Sequence, residues 1–160
     1  MRKAVLLDTS FFLRFLNESD PLFINADSYF RYFLKEKYDL VISTISIAEY
    51  CSGGDITELP LRNLQILPFN LNHGKRTGEF AKIAFAARRE KALELRERLL
   101  IPNDTKLFSQ ADSEDYIDYY LSSDTESLKI FNVLNSSLKL NFKFINLNKK
   151  HTEEFGLLDL

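Results

Sequence analysis

The chain has 160 residues, 45% of them hydrophobic and 13% aromatic, with a formal net charge of −2. That is enough apolar material for one domain with a real core and too little chain for two, so a single domain over residues 1–160 is expected. The near-neutral balance excludes a protein that grips nucleic acid with its whole surface, the apolar stretch "AVLLDTSFFLRFL" is broken by Asp8 and Arg14 and too short for a membrane span, and a lone Cys51 excludes an internal disulfide.

Short apolar runs alternate with helical patterns along the chain. Read in order, "KAVLLD" (3–8) predicts a strand, 10–17 and 26–37 two helices, "DLVIST" (39–44) a second strand and 46–52 a helix. "LQILPFN" (64–70) follows as a third strand, 71–99 as one long helix or a pair, and 104–114 as a helix opened at "IPND". There Pro102 is expected to stop the preceding helix, with Asn103 or Asp104 as N-cap or first-turn acid. "DYYLSSD" (118–124), a helix over 125–138 and "FKFINLN" (142–148) complete the set. Phe30, Phe33 and Leu34, like Phe80, Ile83, Ala84 and Ala87, recur at helical spacing and mark core faces. Several strands are apolar on both faces, as in a parallel sheet covered by helices. The order β-α-α-β-α-β-α-α-β-α-β therefore predicts a three-layer α/β/α fold around a mainly parallel five-stranded sheet. The chain is expected to be soluble and cytoplasmic, Cys51 to be a buried thiol, and His73 and His151 to be surface residues too far apart in the chain for a zinc set.

In open α/β sheets, sites gather at the carboxyl ends of the strands. Asp8 ends the first strand, Glu49 lies in the first turn of the helix after the second, and Asp124 ends the fourth. Asp104, at the start of the helix leading into that fourth strand, can face the same edge. Each also suits an ordinary role, a helix-terminal acid favoured by the dipole or a cap. Together they would repel strongly, about 4 kcal/mol for two unit charges about 4 Å apart at an effective dielectric near 20. An all-oxygen cluster selects a hard divalent ion, Mg²⁺ or Mn²⁺, and such an ion suits phosphodiester hydrolysis. Asp112, Glu114, Asp115 and Asp118 fall at the opposite ends of their elements and are expected to be solvated loop acids. No G-x-x-x-x-G-K-[ST] loop or Ser-His-Asp pattern is present.

The segments "VLLDTSFFLRFL", "ISTISIAEYCSG", "IPNDTKLFSQA" and "YYLSSDTESLKIF" resemble, in order and spacing, the four acidic motifs of the PIN domain family, metal-dependent nucleases that include the VapC-type toxins. The resemblance covers about Lys3 to Leu147 and implies an endoribonuclease with Asp8, Glu49, Asp104 and Asp124 as catalytic metal ligands and Ser10 as the hydroxyl that orients a carboxylate or water. It also implies an RNA substrate, a cognate antitoxin and a homodimer. From His73 to Arg98 eight basic residues face four acidic ones, so this segment carries +4 and the rest of the chain −6. Lys75, Arg76, Arg88, Arg89 and Lys106 are the candidate phosphate contacts. "SSDTESLKIF" lacks the basic residue that many relatives carry before the last acid, which keeps open a module that binds RNA or protein without cleaving. A Mg²⁺-dependent phosphatase or DNA nuclease is a third reading.

Overall fold

A computed structural model describes residues 1–95 and 100–157. Its centre is the strand β1 (Ala4–Leu7), whose four apolar side chains are all fully buried. Such a run has no solvent face, so it must lie between two neighbours and between two helical layers. The neighbours are β2 (Asp39–Ser43) and β4 (Ile117–Ser122), with β3 (Gln65–Leu67) and β5 (Lys143–Asn146) at the edges, giving a parallel sheet of order β3-β2-β1-β4-β5. The chain thus works outward from β1 to β3, returns across β1 and continues through β4. The crevice between β1 and β4 is a topological switch point. Leu7 pairs with Ile42 on one side and Leu121 on the other, so the carboxyl ends of three strands are level.

Among the described residues seven helices cover the sheet: α1 (Thr9–Phe15), α2 (Phe23–Lys35), α3 (Thr44–Cys51), α4 (Leu71–Arg89), α5 (Leu100–Ser113), α6 (Thr125–Ser137) and α7 (His151–Glu154), with single 3₁₀ turns at Ile56–Glu58 and Leu61–Asn63. Val5 and Leu7 pack with Phe11, Phe12 and Phe33 on one face, and Ala4 and Leu6 with Phe80, Phe108 and Ile130 on the other. The period-2 alternation of β1 therefore feeds two cores, and the three-layer arrangement expected from the sequence is the one found. Among the described residues no helix is long and apolar enough to cross a membrane.

Four local expectations are corrected. The helix carrying Asp104 begins at Leu100, not at Asp104. Pro102 sits in its first turn, where an amide has no intrahelical acceptor and a fixed φ costs nothing, so it opens this helix instead of closing the one before. The helix expected over 71–99 stops at Arg89, after which Lys91 turns into the left-handed region at φ 58°; Arg96 and Arg98 lie outside the described residues. Cys51, the last residue of α3, is exposed, because Ser46 and Tyr50 supply that helix's buried face.

His73 is fully buried instead of on the surface. Its Nδ1 accepts from the Asn70 amide at 3.0 Å while Asn70 Oδ1 accepts from the His73 amide at 3.0 Å, a reciprocal cap that starts α4. With Nδ1 accepting, Nε2 is the nitrogen that donates to Glu114 Oε1, 2.8 Å away. Asp112 is likewise no solvated loop acid. It is buried, bound by Arg76 Nε at 3.0 Å and Nη2 at 2.9 Å, and it accepts from the Asn141 amide at 2.8 Å. Asp115 and Asp118 are exposed as expected. His73 and Arg76, at the amino end of α4, thereby staple the carboxyl end of α5. Asp112→Ala should leave the Arg76 guanidinium and the Asn141 amide without their acceptor and cost about 2–3 kcal/mol, read as a lower midpoint in urea unfolding.

Candidate active site

Asp8 follows β1 directly and caps α1 from extended backbone, φ −86° and ψ 175°. Its Oδ1 accepts from the Phe11 amide at 3.0 Å and from Ser10 Oγ at 2.7 Å, and its Oδ2 lies 3.4 Å from the Tyr120 hydroxyl. Capping and site placement therefore coincide in one residue: one oxygen starts the helix and the other faces inward. Burial pushes the Asp8 carboxyl up to about 6, against the stabilising bonds from Ser10, Ser122 and the Phe11 amide, and the charge of Asp124 adds to the rise. Ser10 also accepts from the Ser123 amide at 2.9 Å and stands 3.3 Å from Ser122 Oγ, tying the start of α1 to the end of β4.

Asp124 caps α6, its Oδ1 accepting from the amides of Glu126 at 2.9 Å and Ser127 at 3.3 Å. Its own amide is held by Ser122 Oγ at 3.0 Å. Asp104 projects from the second turn of α5, and its Oδ2 is buried with no hydrogen-bond partner among the described residues. Burial first, then the charges of Asp124, Asp8, Glu49 and Glu126, raise this carboxyl to about 8. These contributions come from Asp8 just past β1, Glu49 on α3, and Asp124 and Glu126 at the start of α6, so Asp104 lies in their combined field. Glu49 occupies the second turn of α3, not the first, and stands at the solvent rim. Partial desolvation raises its pKa, opposed by Thr9 and by the charge of Lys106.

Glu126 is the acid that sequence reasoning misses. It is buried, within the first turn of α6, and pairs with Lys129 Nζ at 2.9 Å. The available signal is its spacing, two residues beyond Asp124 on a helix start, which puts both acids at one end of α6. Among the described residues no three of the acidic, histidine or cysteine side chains close on one point as a metal cage. The donor chemistry nonetheless fits a hard divalent ion: all oxygen, and including a buried carboxylate oxygen without a partner.

The five candidate basic residues divide. Lys106 is close enough to Glu49 to act on its charge. The contacts of His73 with Glu114 and Arg76 with Asp112 make α4 and α5 antiparallel neighbours. At about 1.5 Å per residue this register brings Arg88 and Arg89, both exposed, level with the first turn of α5. Lys75 and Arg76 sit at the other end, about 12 Å along α5 from Asp104. Arg76 is fully engaged there, by Asp112, by Glu79 at 2.6 Å and over the Phe80 ring at 4.7 Å, so its expected phosphate contact gives way to a structural ion pair.

The fold has counterparts among solved structures. The chain superposes on VapBC2 from Rickettsia felis, bound to a promoter DNA fragment, with TM-score 0.57 and 15% identity over 89% of this chain and 98% of that one. DNA-bound VapBC from Salmonella typhimurium gives 0.55 and 15% over 92% and 99%. The Sarcin-Ricin loop cleaving toxin VapC20 from Mycobacterium tuberculosis gives 0.53 and 13% over 78% and 93%. The chain has a VapC-like PIN-domain fold. No family model matches the sequence, and no curated protein is similar to it in sequence. At this identity the likeness is one of architecture, and the PIN-like sheet edge is where Asp8, Asp104 and Asp124 gather.

A pH dependence follows from the raised carboxyls. In metal-free protein Asp104 keeps its proton up to about pH 8, whereas the unfolded chain releases it near 3.8, so the native state binds more protons between those values. Its stabilising effect is complete at the low end of that window and is lost as pH rises through about 8. Urea midpoints measured in EDTA should therefore fall from pH 5 to pH 8.5. Asp104→Asn should flatten the decline and raise the midpoint at pH 8.5; an unchanged slope would show that Asp104 ionises freely.

Proposed function

We propose that this chain is a Mg²⁺- or Mn²⁺-dependent endoribonuclease and the toxin of a toxin–antitoxin pair. The observation that carries the reading is Asp104: half-buried, with a buried Oδ2 that has no hydrogen-bond partner among the described residues, in the electrostatic field of four other acids. A structural acid has no reason to be kept in that field, whereas a ligand waiting for a cation does. Asp8, Glu49, Asp104 and Asp124 would hold the metal ion, and Glu126 lies within the same field. When bound, Mg²⁺ or Mn²⁺ lowers the pKa of a coordinated water and neutralises charge on the phosphate. The chain's own work is to fix the ligands. Ser10 and the Phe11 amide hold one oxygen of Asp8, the amino end of α6 holds one oxygen of Asp124, and Asp104 would give up its proton on binding a cation.

Lys106, beside Glu49, and Arg88 and Arg89, level with the first turn of α5, are the proposed phosphate contacts, with Lys75 an outlying one toward the amino end of α4. RNA as substrate is favoured by the likeness to a toxin that cleaves the Sarcin-Ricin loop, and an antitoxin partner by the likeness to VapBC complexes. A homodimer and a cytoplasmic location fit the same assignment.

The test is cleavage of mixed RNA and matched single-stranded DNA with Mg²⁺, with Mn²⁺ and with EDTA, alongside Asp8→Asn. RNA should be cut only with metal, and loss of a direct ligand should cost more than the about 10–100-fold typical of residues supporting ligands. Cleavage that survives both EDTA and Asp8→Asn would reject the mechanism. Metal-independent RNA binding without cleavage would favour the binding-module reading.

A further inference from the structure

Tyr120 stands among phenylalanines. Its ring, fully buried in β4, packs against Phe108 at 5.0 Å and Phe144 at 5.5 Å, with Phe142 at 6.3 Å. For packing alone a phenylalanine would serve, and a buried hydroxyl costs free energy unless it finds an acceptor. The acceptor is Asp8 Oδ2 on the neighbouring strand's end, 3.4 Å away. The Ser127 hydroxyl, itself buried and without a hydrogen bond of its own among the described residues, acts on the same phenol. Phe108 follows Asp104 by four residues on α5, so the Tyr120 ring also backs the helix face that carries that acid.

Resting on the metal-dependent reading above, we infer that Tyr120 is a positioning residue: its hydroxyl restrains Asp8 Oδ2 from the core side and so orients this carboxylate for the cation. Asp8 Oδ1 is held by Ser10 and the Phe11 amide, and the Tyr120 hydroxyl adds a third restraint, the one on Oδ2. Tyr120 leaves one lone-pair direction of that oxygen to the crevice. At 3.4 Å the contact is at the long end of hydrogen bonding. It contributes direction more than stability.

Tyr120→Phe keeps the ring and removes only the hydroxyl. Calorimetric Mn²⁺ titration of the wild type, Asp8→Asn and Tyr120→Phe should give tight binding, no binding, and binding weakened about tenfold, respectively. The metal-free Tm of Tyr120→Phe should stay within about 4 °C of wild type, and in the RNA cleavage assay its kcat should fall while KM stays unchanged. Wild-type affinity and kcat in Tyr120→Phe, with Asp8→Asn silent, would overturn the role of Tyr120 and leave the acid site standing. A Tyr120→Phe protein that loses its fold would make the hydroxyl a structural group and overturn it as well. No Mn²⁺ uptake by the wild type would remove the metal-site reading and this inference with it.

Discussion

Parallel pairing of β1 with β2 on one side and β4 on the other brings three strand ends level, and the first residue beyond β1 is a carboxylate. Asp8 is largely withdrawn from bulk water there, only 6% exposed at the end of a strand buried on both faces. The surrounding sequence answers that constraint. A serine two residues on and the amide of Phe11 neutralise one oxygen, Ser122 steadies Ser10, and the tyrosine of the adjoining strand faces the other. These bonds oppose the desolvation of Asp8 without cancelling it, since its carboxyl still rests at about 6. The uncompensated part is larger at Asp104, which has fewer partners and more charged neighbours. On the proposed reading of these acids as a cation site, uptake of the ion would be coupled to release of protons.

Much of this was legible in the sequence, because it depends on local pattern. A four-residue apolar strand followed by an acid, strands separated by amphipathic helices, and the rule that sites collect at strand ends together place Asp8, Glu49 and Asp124. Asp104 was placed at the right edge for an incomplete reason: Pro102 reads as a stop when the chain is scanned from the amino end, but a first turn tolerates proline equally well. Glu126 escaped notice because an acid in the first turn of a helix has an ordinary dipole explanation.

What could not be read locally was the fate of polar residues whose partners are distant in the chain. His73 meets Glu114 41 positions away, and Arg76 meets Asp112 36 positions away. In sequence these are two basic and two acidic residues with helical neighbours, indistinguishable from a solvated surface. In the fold they become the staple between α4 and α5. The basic segment is thus divided by function. Its amino end is committed to stability, and its carboxyl end, with Arg88 and Arg89, keeps exposed charge level with the first turn of α5, one turn before Asp104.

The central claim is that the acids around Asp104 form one cation site instead of a set of independent caps. The most direct test is a crystal structure of the wild type grown or soaked with Mn²⁺ and measured at a wavelength that gives an anomalous signal. The account predicts a peak in the β1/β4 crevice with oxygens of Asp8 and Asp104 at ligand distance and with Asp124, Glu49 or Glu126 on its remaining side. Saturating Mn²⁺ that leaves this crevice without a peak, with Asp104 Oδ2 still unpartnered, would contradict it.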